Sequence, residues 1–444
     1  MWTDDQKNAI ELNDKDILVA AAAGSGKTAV LVERVVSHLL LPENDKNHWD
    51  VDRLMVVTFT NAAAEEMRQR IEKALEEKIE SERLAENSDK KLIERLEKQK
   101  ILLSNASIST MHSFCQNLIR QNFAVLDLDP AFRAGHDQEI KIMQQEVMEE
   151  VFEKYYENSD SFIHAFAEKY GSDKNGDEEL YKIVMKLYHM AYNQPFPNKW
   201  LNDIAERFDV NPDGRIADTF WGKRIYDEIQ HQLKIAEEAI EEVRYLAEGA
   251  DSDKYDKVEK LIDSDNTIIT NIQKAVKDEN WDSMVNHLNT KFATWANFGK
   301  GAAENNALAQ DIRKKRIKDI VEDLKKKLSI GHERDFLEDI IGVAPEARGL
   351  CDLVKSFVDL YTAKKKEKNI IDFTDMEHLA LKILLSEDNN DGKLKPSPVA
   401  LDLRKHYQEI MVDEYQDTNE VQDAIVRLIA GENSGTFFVI YLDK

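Results

Sequence analysis

Hydrophobic and polar positions fall into two regimes along this chain. Short apolar runs occur at Ile17–Ala21, Leu54–Thr58, Ser107–Thr110, Ile410–Asp413 and Thr436–Tyr441. Runs of this length, bounded by polar or small residues, read as buried β-strands. The first three are each followed by a helical pattern, which is the β–α alternation of a parallel sheet. From about residue 137 to 368 strand signals nearly vanish. Charged residues dominate there, and apolar ones recur at helical spacing, as in Ile235, Ala236, Ala239, Ile240 and Val243. The fold class expected from this pattern is α/β: a parallel sheet flanked by helices, with a large, mostly helical inserted domain. The expected boundaries are 1–136 and 369–444 for the sheet domain and 137–368 for the insertion. Breaks inside the insertion are predicted at Gly171–Gly176, Asn193–Asn198 and Asn211–Gly214. A smaller helical excursion is predicted from Met67 to Leu103, and a surface loop at Asn389–Pro398. No internal repeat is evident.

Composition narrows the function classes. The formal net charge is -25, with 42% hydrophobic residues. Such acidity argues against nucleic-acid binding by bulk charge. A local basic groove remains compatible with it, because screening confines contacts to about 8–10 Å. Arg313, Lys314, Lys315, Arg316 and Lys318, followed by Lys325–Lys327, form a basic stripe. It reads first as a solvated helix face and second as a nucleic-acid contact. Trp295–Gly301 mixes aromatics with Lys and Gly and is a weaker candidate of the same kind. Cys115 and Cys351 are too few for a four-cysteine metal site and fit a reducing compartment. Neither a basic leader nor an apolar run of membrane-spanning length is present, so the chain reads as cytoplasmic, with no membrane partner.

Two segments carry candidate chemistry. Directly after the first apolar run comes Ala21-Ala22-Ala23-Gly24-Ser25-Gly26-Lys27-Thr28. Glycines let backbone N–H groups converge on phosphate oxygens, and the following helix points its positive end at the same anion. Ala22, Ala23, Gly24, Ser25 and Gly26 would form the cradle. Lys27 would reach the β and γ phosphates, and the Thr28 hydroxyl would hold Mg²⁺. The strict pattern begins with Gly where this chain has Ala21, a small residue that still permits the turn. Far downstream, Glu409–Val412 leads into the adjacent carboxylates Asp413 and Glu414. At a strand tip, Asp413 would hold Mg²⁺ through water and Glu414 would polarise an attacking water as general base. The two segments together predict binding and hydrolysis of a nucleoside triphosphate, with ATP and Mg²⁺ as cofactors.

Five segments, the acidic one among them, stand in a fixed order around the cradle. They are Trp2–Ile10 with Gln6, Thr58–Met67, Ile108–Phe114, Ile371–Met376 and Asp413–Asn419. In this order the chain resembles superfamily 1 DNA helicases of the UvrD/Rep/PcrA type. The alanine-rich cradle, the opening Trp2-Thr3-Asp4-Asp5-Gln6 and the long acidic insertion are most similar to helicase–nuclease subunits of the AddA type. The resemblance implies that the α/β sheet is a P-loop, RecA-like one, and that the protein is an ATP-dependent, 3′ to 5′ DNA motor acting on single-stranded or duplex-end DNA in double-strand break repair. It also implies a nuclease elsewhere in the full protein and an AddB-like second subunit.

Within that resemblance Gln6 is expected to read the adenine edge, since its amide offers a donor and an acceptor together. Thr58, Thr60 and Asn61 stand where a strand gives way to a helix, a place for a DNA phosphate or for helix capping. Thr110, His112 and Phe114 are expected to face single-stranded DNA, with core packing as the other reading of Phe114. Asp372 and Phe373 support either the DNA track or the fold. Gln416 is placed to sense the γ-phosphate. Tyr441 and Leu442 depart from the family pattern. The second motor domain, with its arginines, and the nuclease domain have no counterpart up to Lys444. The chain is therefore expected to bind nucleotide, to bind DNA weakly and to unwind little alone. The alternatives are a noncatalytic ATP- or partner-binding module and a nuclease-free helicase of the same superfamily.

Overall fold

The computed structural model describes residues 2–13, 15–21, 26–126, 128–157, 162–170, 176–328, 331–388, 392–431 and 437–442. Among them are the strands β1 (Ile17–Ala21), β2 (Leu54–Thr58), β3 (Ser107–Thr110), β4 (Arg133–Ala134), β5 (Ile370–Ile371), β6 (Glu409–Val412) and β7 (Phe437–Leu442). Five of them form one sheet in the order β1-β7-β6-β2-β3, and every pairing in it is parallel. The predicted runs for β1, β2 and β3 coincide with the observed strands. β6 and β7 are offset by one residue from their predicted runs, which leaves Asp413 just past the tip of β6. The short parallel pair β4 and β5 was not expected. Two-residue strands carry no periodicity for a sequence to reveal.

The strands are apolar runs because helices cover both faces of the sheet. Leu54 and Val56 of β2, Met411 of β6 and Phe438 of β7 pack with helices Lys27–Leu40 and Asn61–Leu84. Met55 and Val57, Ile410 and Val412, and Val439 face the other way. They meet helices Met111–Gln121, Phe373–Leu384 and Glu420–Ala430. Helix Asn61–Leu84 buries Ala64, Met67, Ile71, Leu75 and Ile79, one stripe at three- and four-residue spacing. It starts before the Met67 expected from the pattern because the Thr60 hydroxyl accepts from the Ala63 N–H at 3.1 Å.

The chain divides into two compact units, Met1–Trp200 with Leu353–Lys444, and Leu201–Asp352. The described residues of the second unit form helices and no strand. Its core holds the stripe Ile229, Leu233, Ala236, Ile240 and Val243 together with Trp281 and Phe298. Phe298 is fully buried and Trp295 donates to Asn306 at 3.2 Å, so the Trp295–Gly301 segment is anchored inward. Part of the basic stripe is paired. Arg313 is buried against Asp265, Lys315 meets Asp311 at 3.0 Å and Arg316 bonds Glu242. The solvated-face reading fits Lys314, Lys315, Arg316, Lys325, Lys326 and Lys327, and Arg313 is a core residue.

One buried cation ties the first unit together. The Arg34 guanidinium, 1% exposed, donates to Glu409 Oε1 at 2.7 Å. It also donates to the carbonyls of Ala9 at 3.0 Å, Ile10 at 3.2 Å and Leu12 at 2.8 Å. It thereby fixes the end of helix Asp4–Glu11 to helix Lys27–Leu40 and to the start of β6. Removing one partner of such a pair leaves an uncompensated buried charge, at a cost of about 3–5 kcal/mol. Urea unfolding of Arg34→Met should show a loss of that size. Arg34→Met combined with Glu409→Leu should be less destabilised than Arg34→Met alone, since no charge is then left buried. A double variant weaker than the single one contradicts this.

Candidate functional site

In a sheet whose strands all run one way, every strand ends at the same edge, where open α/β folds place ligands. Ala22, Ala23, Gly24 and Ser25 of the predicted cradle lie outside the described residues. Gly26 adopts φ +85°, the left-handed conformation that glycine takes without strain, and caps helix Lys27–Leu40. The first N–H groups of that helix lack intrahelical acceptors, so its start carries partial positive charge. Thr28 lies in its first turn. A Cβ on Gly26 would stand 3.7 Å from Gln6 Nε2, which places the Gln6 amide beside the helix start. Gln6 is also held by a capping box: its Oε1 accepts from the Thr3 N–H at 2.9 Å.

The acidic tip comes from β6, separated from β1 in the sheet by β7. Lys27 Nζ donates to Glu414 Oε1 at 3.3 Å, and Gln416 Nε2 donates to Glu414 Oε2 at 2.5 Å. Lys27, assigned from one segment of the sequence, therefore meets Glu414, assigned from another together with Gln416. Asp413 N–H bonds the Val57 carbonyl at 2.9 Å, and the Asp413 carboxylate accepts from the Glu414 N–H at 3.1 Å. Burial, with the neighbouring Glu414 charge, pushes the Asp413 carboxyl above its usual value. Glu414 itself sits at φ +55°, a conformation that costs a non-glycine residue about 1–3 kcal/mol. Such strain at the end of a strand, on the residue proposed as a base, is where function concentrates it.

These groups suit a magnesium–triphosphate complex. No cluster of three or more His, Cys, Asp or Glu side chains among the described residues is set to hold a metal by protein ligands alone. Mg²⁺ bound to a nucleotide needs only one or two protein ligands, the rest being phosphate oxygens and water. Thr28 and Asp413 could supply them.

A second concavity, of about 430 Å³, opens where β2 and β3 end. Two helices start on it. Thr60 caps helix Asn61–Leu84, and Thr110 caps helix Met111–Gln121 by accepting from the Ser113 N–H at 3.3 Å. Asn61 Oδ1 accepts from Thr110 Oγ1 at 3.4 Å and so links the two starts. Converging helix N-termini favour an anion such as a backbone phosphate. Phe59, 71% exposed, and Phe373, 54% exposed, line the same concavity, and the His112 ring lies 4.7 Å from that of Phe373. Two exposed large aromatics beside a pair of helix starts are the kind of surface on which bases could stack while the helix starts take phosphates.

Two of the predicted nucleic-acid residues are placed otherwise. Phe114 is 6% exposed and packs with Met111, Cys115 and Leu118 in the core. The one-in-two alternation after β3 gives way at once to helical periodicity, which turns Phe114 inward. Thr58 is buried and spends its hydroxyl on the Thr60 carbonyl at 3.0 Å, so it shapes the turn rather than facing the groove. Cys115 is buried as well, and burial pushes its thiol up, which makes it inert. Asp372 is structural: it accepts from Tyr361 at 2.8 Å and from the buried Lys365 at 2.9 Å, and it caps the helix that presents Phe373.

Phe59 and Glu377 were not singled out from the sequence. β2 is buried on both faces, so no alternation marks the residue that emerges from it. Glu377 did leave a signal: it shares one helical stripe with Ala380, Leu381 and Leu384, a charge among apolar positions. Buried at 5% exposure, its carboxylate accepts from His112 at 3.1 Å, Gln422 at 2.5 Å and Asn419 at 2.9 Å. Burial pushes this carboxyl up, but the three donors outweigh it and hold it below its ordinary value of 4.5. A carboxyl held down in the folded state contributes stability above 4.5, lost as the pH falls through the folded value. The stability gap between the wild-type chain and Glu377→Gln, from urea midpoints, should therefore shrink as the pH falls through 4.5 and below it. A gap that is constant or widens on acidification contradicts the charged assignment.

The sequence matches the family model of the UvrD/REP helicase N-terminal domain over residues 2–440. It is 38% identical to an ATP-dependent helicase/nuclease subunit of Bacillus thuringiensis subsp. konkukian (strain 97-27), over 99% of this chain and 34% of that protein. The protein of the same name from Bacillus cereus (strain AH187) gives the same identity and coverage, and that of Bacillus anthracis is 37% identical over the same shares. The chain thus spans about a third of the length of the curated relatives it matches.

Proposed function

The chain belongs to the UvrD/REP helicase N-terminal domain family, and on that premise we propose that it is the ATP-binding part of an ATP-dependent DNA motor. The observation that carries the reading is the contact of Lys27 and Gln416 with Glu414, on the sheet edge that also bears the aromatic groove. In this reading the sheet is a RecA-like motor core made of 1–136 and 369–444, with 137–368 as the insertion. The cradle of Ala22, Ala23, Gly24, Ser25 and Gly26 holds the phosphates, and Gln6 reads the adenine. Lys27 leaves Glu414 for the β and γ phosphates. Glu414, freed of that cation, accepts the proton of the water that attacks the γ-phosphorus as the bond to the ADP oxygen breaks. Gln416 stays with Glu414 and registers whether the γ-phosphate is there. Thr28 and Asp413 would hold Mg²⁺, which would supply neutralisation of the phosphate charge. Thr60, Asn61 and Thr110 take the phosphates of a single strand, while Phe59, His112 and Phe373 stack its bases.

The relatives are named as helicase/nuclease subunits, and the whole protein is proposed to work likewise. It would unwind duplex ends in double-strand break repair in the cytoplasm, beside a nuclease and a second, AddB-like subunit. No helix among the described residues is long and apolar enough to cross a membrane.

Hydrolysis by the chain with Mg²⁺, with and without oligothymidylate, tests the reading together with binding of a fluorescent ATP analogue. Lys27→Ala should weaken analogue binding by about 10–100-fold, as expected for losing a bond between charged groups. Glu414→Gln should keep binding and abolish whatever turnover the wild type shows. Equal nucleotide affinity in the wild type and Lys27→Ala removes the nucleotide site from this edge. Separately, Phe59→Ala should weaken oligothymidylate binding by about 5–150-fold, the range for loss of one base–aromatic stack, and leave nucleotide affinity unchanged. Unchanged oligonucleotide affinity removes the groove assignment.

A further inference from the structure

Glu377 has no role in the chemistry proposed above, and burying a carboxylate is costly unless it is well paired. Its pairing joins three parts of the first unit. His112 Nε2 lies 3.1 Å from Glu377 Oε1, Gln422 Nε2 donates to that oxygen at 2.5 Å, and Asn419 Nδ2 donates to Oε2 at 2.9 Å. Asn419 and Gln422 open helix Glu420–Ala430, which one short 3₁₀ turn, Tyr415–Asp417, separates from Glu414. His112 belongs to the groove, in contact with Phe373. One buried carboxylate therefore links the segment behind the acidic tip to the rings that face the groove. An aliphatic side chain would fill the same position on the apolar stripe without any need for donors.

Resting on the nucleotide and single-strand reading above, we propose that Glu377 is a positioning residue coupling the nucleotide site to the groove. Its carboxylate passes the position of the turn after Glu414 to His112 and Phe373. The transmission is mechanical and local. When Lys27 and Gln416 rearrange around Glu414, the 3₁₀ turn and the helix start behind it shift. Asn419 and Gln422 lie at that start. Each is tied to a carboxylate that cannot trade its donors for water, so a shift there is passed to the imidazole on the opposite side. Linkage makes the effect reciprocal: a strand ordering His112 and Phe373 changes nucleotide affinity by the same factor.

Two variants separate coupling from plain packing. Glu377→Gln keeps the shape but places an amide N–H₂ where one of three donors needs an acceptor. Asn419→Ser keeps a good helix cap, so the fold is retained, but its side chain is too short to reach Glu377. The measurement is oligothymidylate affinity of the full chain, without nucleotide and with a saturating non-hydrolysable ATP analogue and Mg²⁺. The wild type should show a change in affinity of about fivefold or more between the two states. Both variants should keep analogue affinity within about twofold and bring that change close to one. Retention of the wild-type ratio in Asn419→Ser overturns the proposal. So does a loss of oligonucleotide affinity in Glu377→Gln that is equal in both states, since His112 orientation alone explains it. A wild-type chain that binds both ligands with no mutual effect overturns the coupling while leaving the functional reading intact. A wild-type chain that binds neither ligand overturns the functional reading, and the coupling with it.

Discussion

Five strands that all run one way are the constraint from which the rest of the first unit derives. A parallel sheet needs crossovers over its faces, so both faces are covered and the strands are apolar throughout. Polar chemistry is thereby driven to the strand ends, and parallel direction collects those ends at one edge. Gly26 and Lys27 come after β1, Asp413 and Glu414 come after β6, and the groove opens past β2 and β3. Arg34 holds this arrangement from the opposite side of the problem. By bonding Glu409 at the start of β6 and three carbonyls at the end of the helix that carries Gln6, it sets where Gln6 stands relative to Lys27.

Carboxylates do different work here according to which donors surround them. Glu409 is fully engaged with Arg34 and serves the fold. Glu414 holds one lysine and one glutamine at a half-buried position, and the lysine is the partner that a phosphate would draw away in the proposed reading. Glu377 lies between these cases, buried like Glu409 yet bonded to residues of the proposed site. The same logic would reconcile a net charge of -25 with the proposed nucleic-acid ligand. The groove presents helix N-termini, hydroxyls and rings rather than a lysine patch, so the attraction proposed for a strand would be local and would survive the acidic surroundings.

Much of the fold was legible because parallel strands buried on both faces leave continuous apolar runs, and β1, β2 and β3 match those runs to the residue. The one-residue offsets at β6 and β7 arise because pairing register, not hydrophobicity, decides a strand end. The meeting of Lys27 with Glu414 was legible from motif order, since no spacing brings residues so far apart together. Thr58 was misplaced, and Phe114 was left open between groove and core, for a shared reason: at a strand-to-helix junction the periodicity changes from two to 3.6, and a side chain's direction depends on where that change falls. Glu377 could have been found as a charge on an apolar stripe, but its partners come from two distant segments, and only the packed helices show them.

The central claim is that one sheet edge holds a nucleotide and a single strand side by side. A crystal structure of the chain with a non-hydrolysable ATP analogue, Mg²⁺ and oligothymidylate tests it most directly. The account predicts triphosphate at the Gly26–Thr28 helix start with Lys27 withdrawn from Glu414, and bases against Phe59 and Phe373. A nucleotide bound away from Lys27, or a strand lying elsewhere with the groove empty, would contradict it.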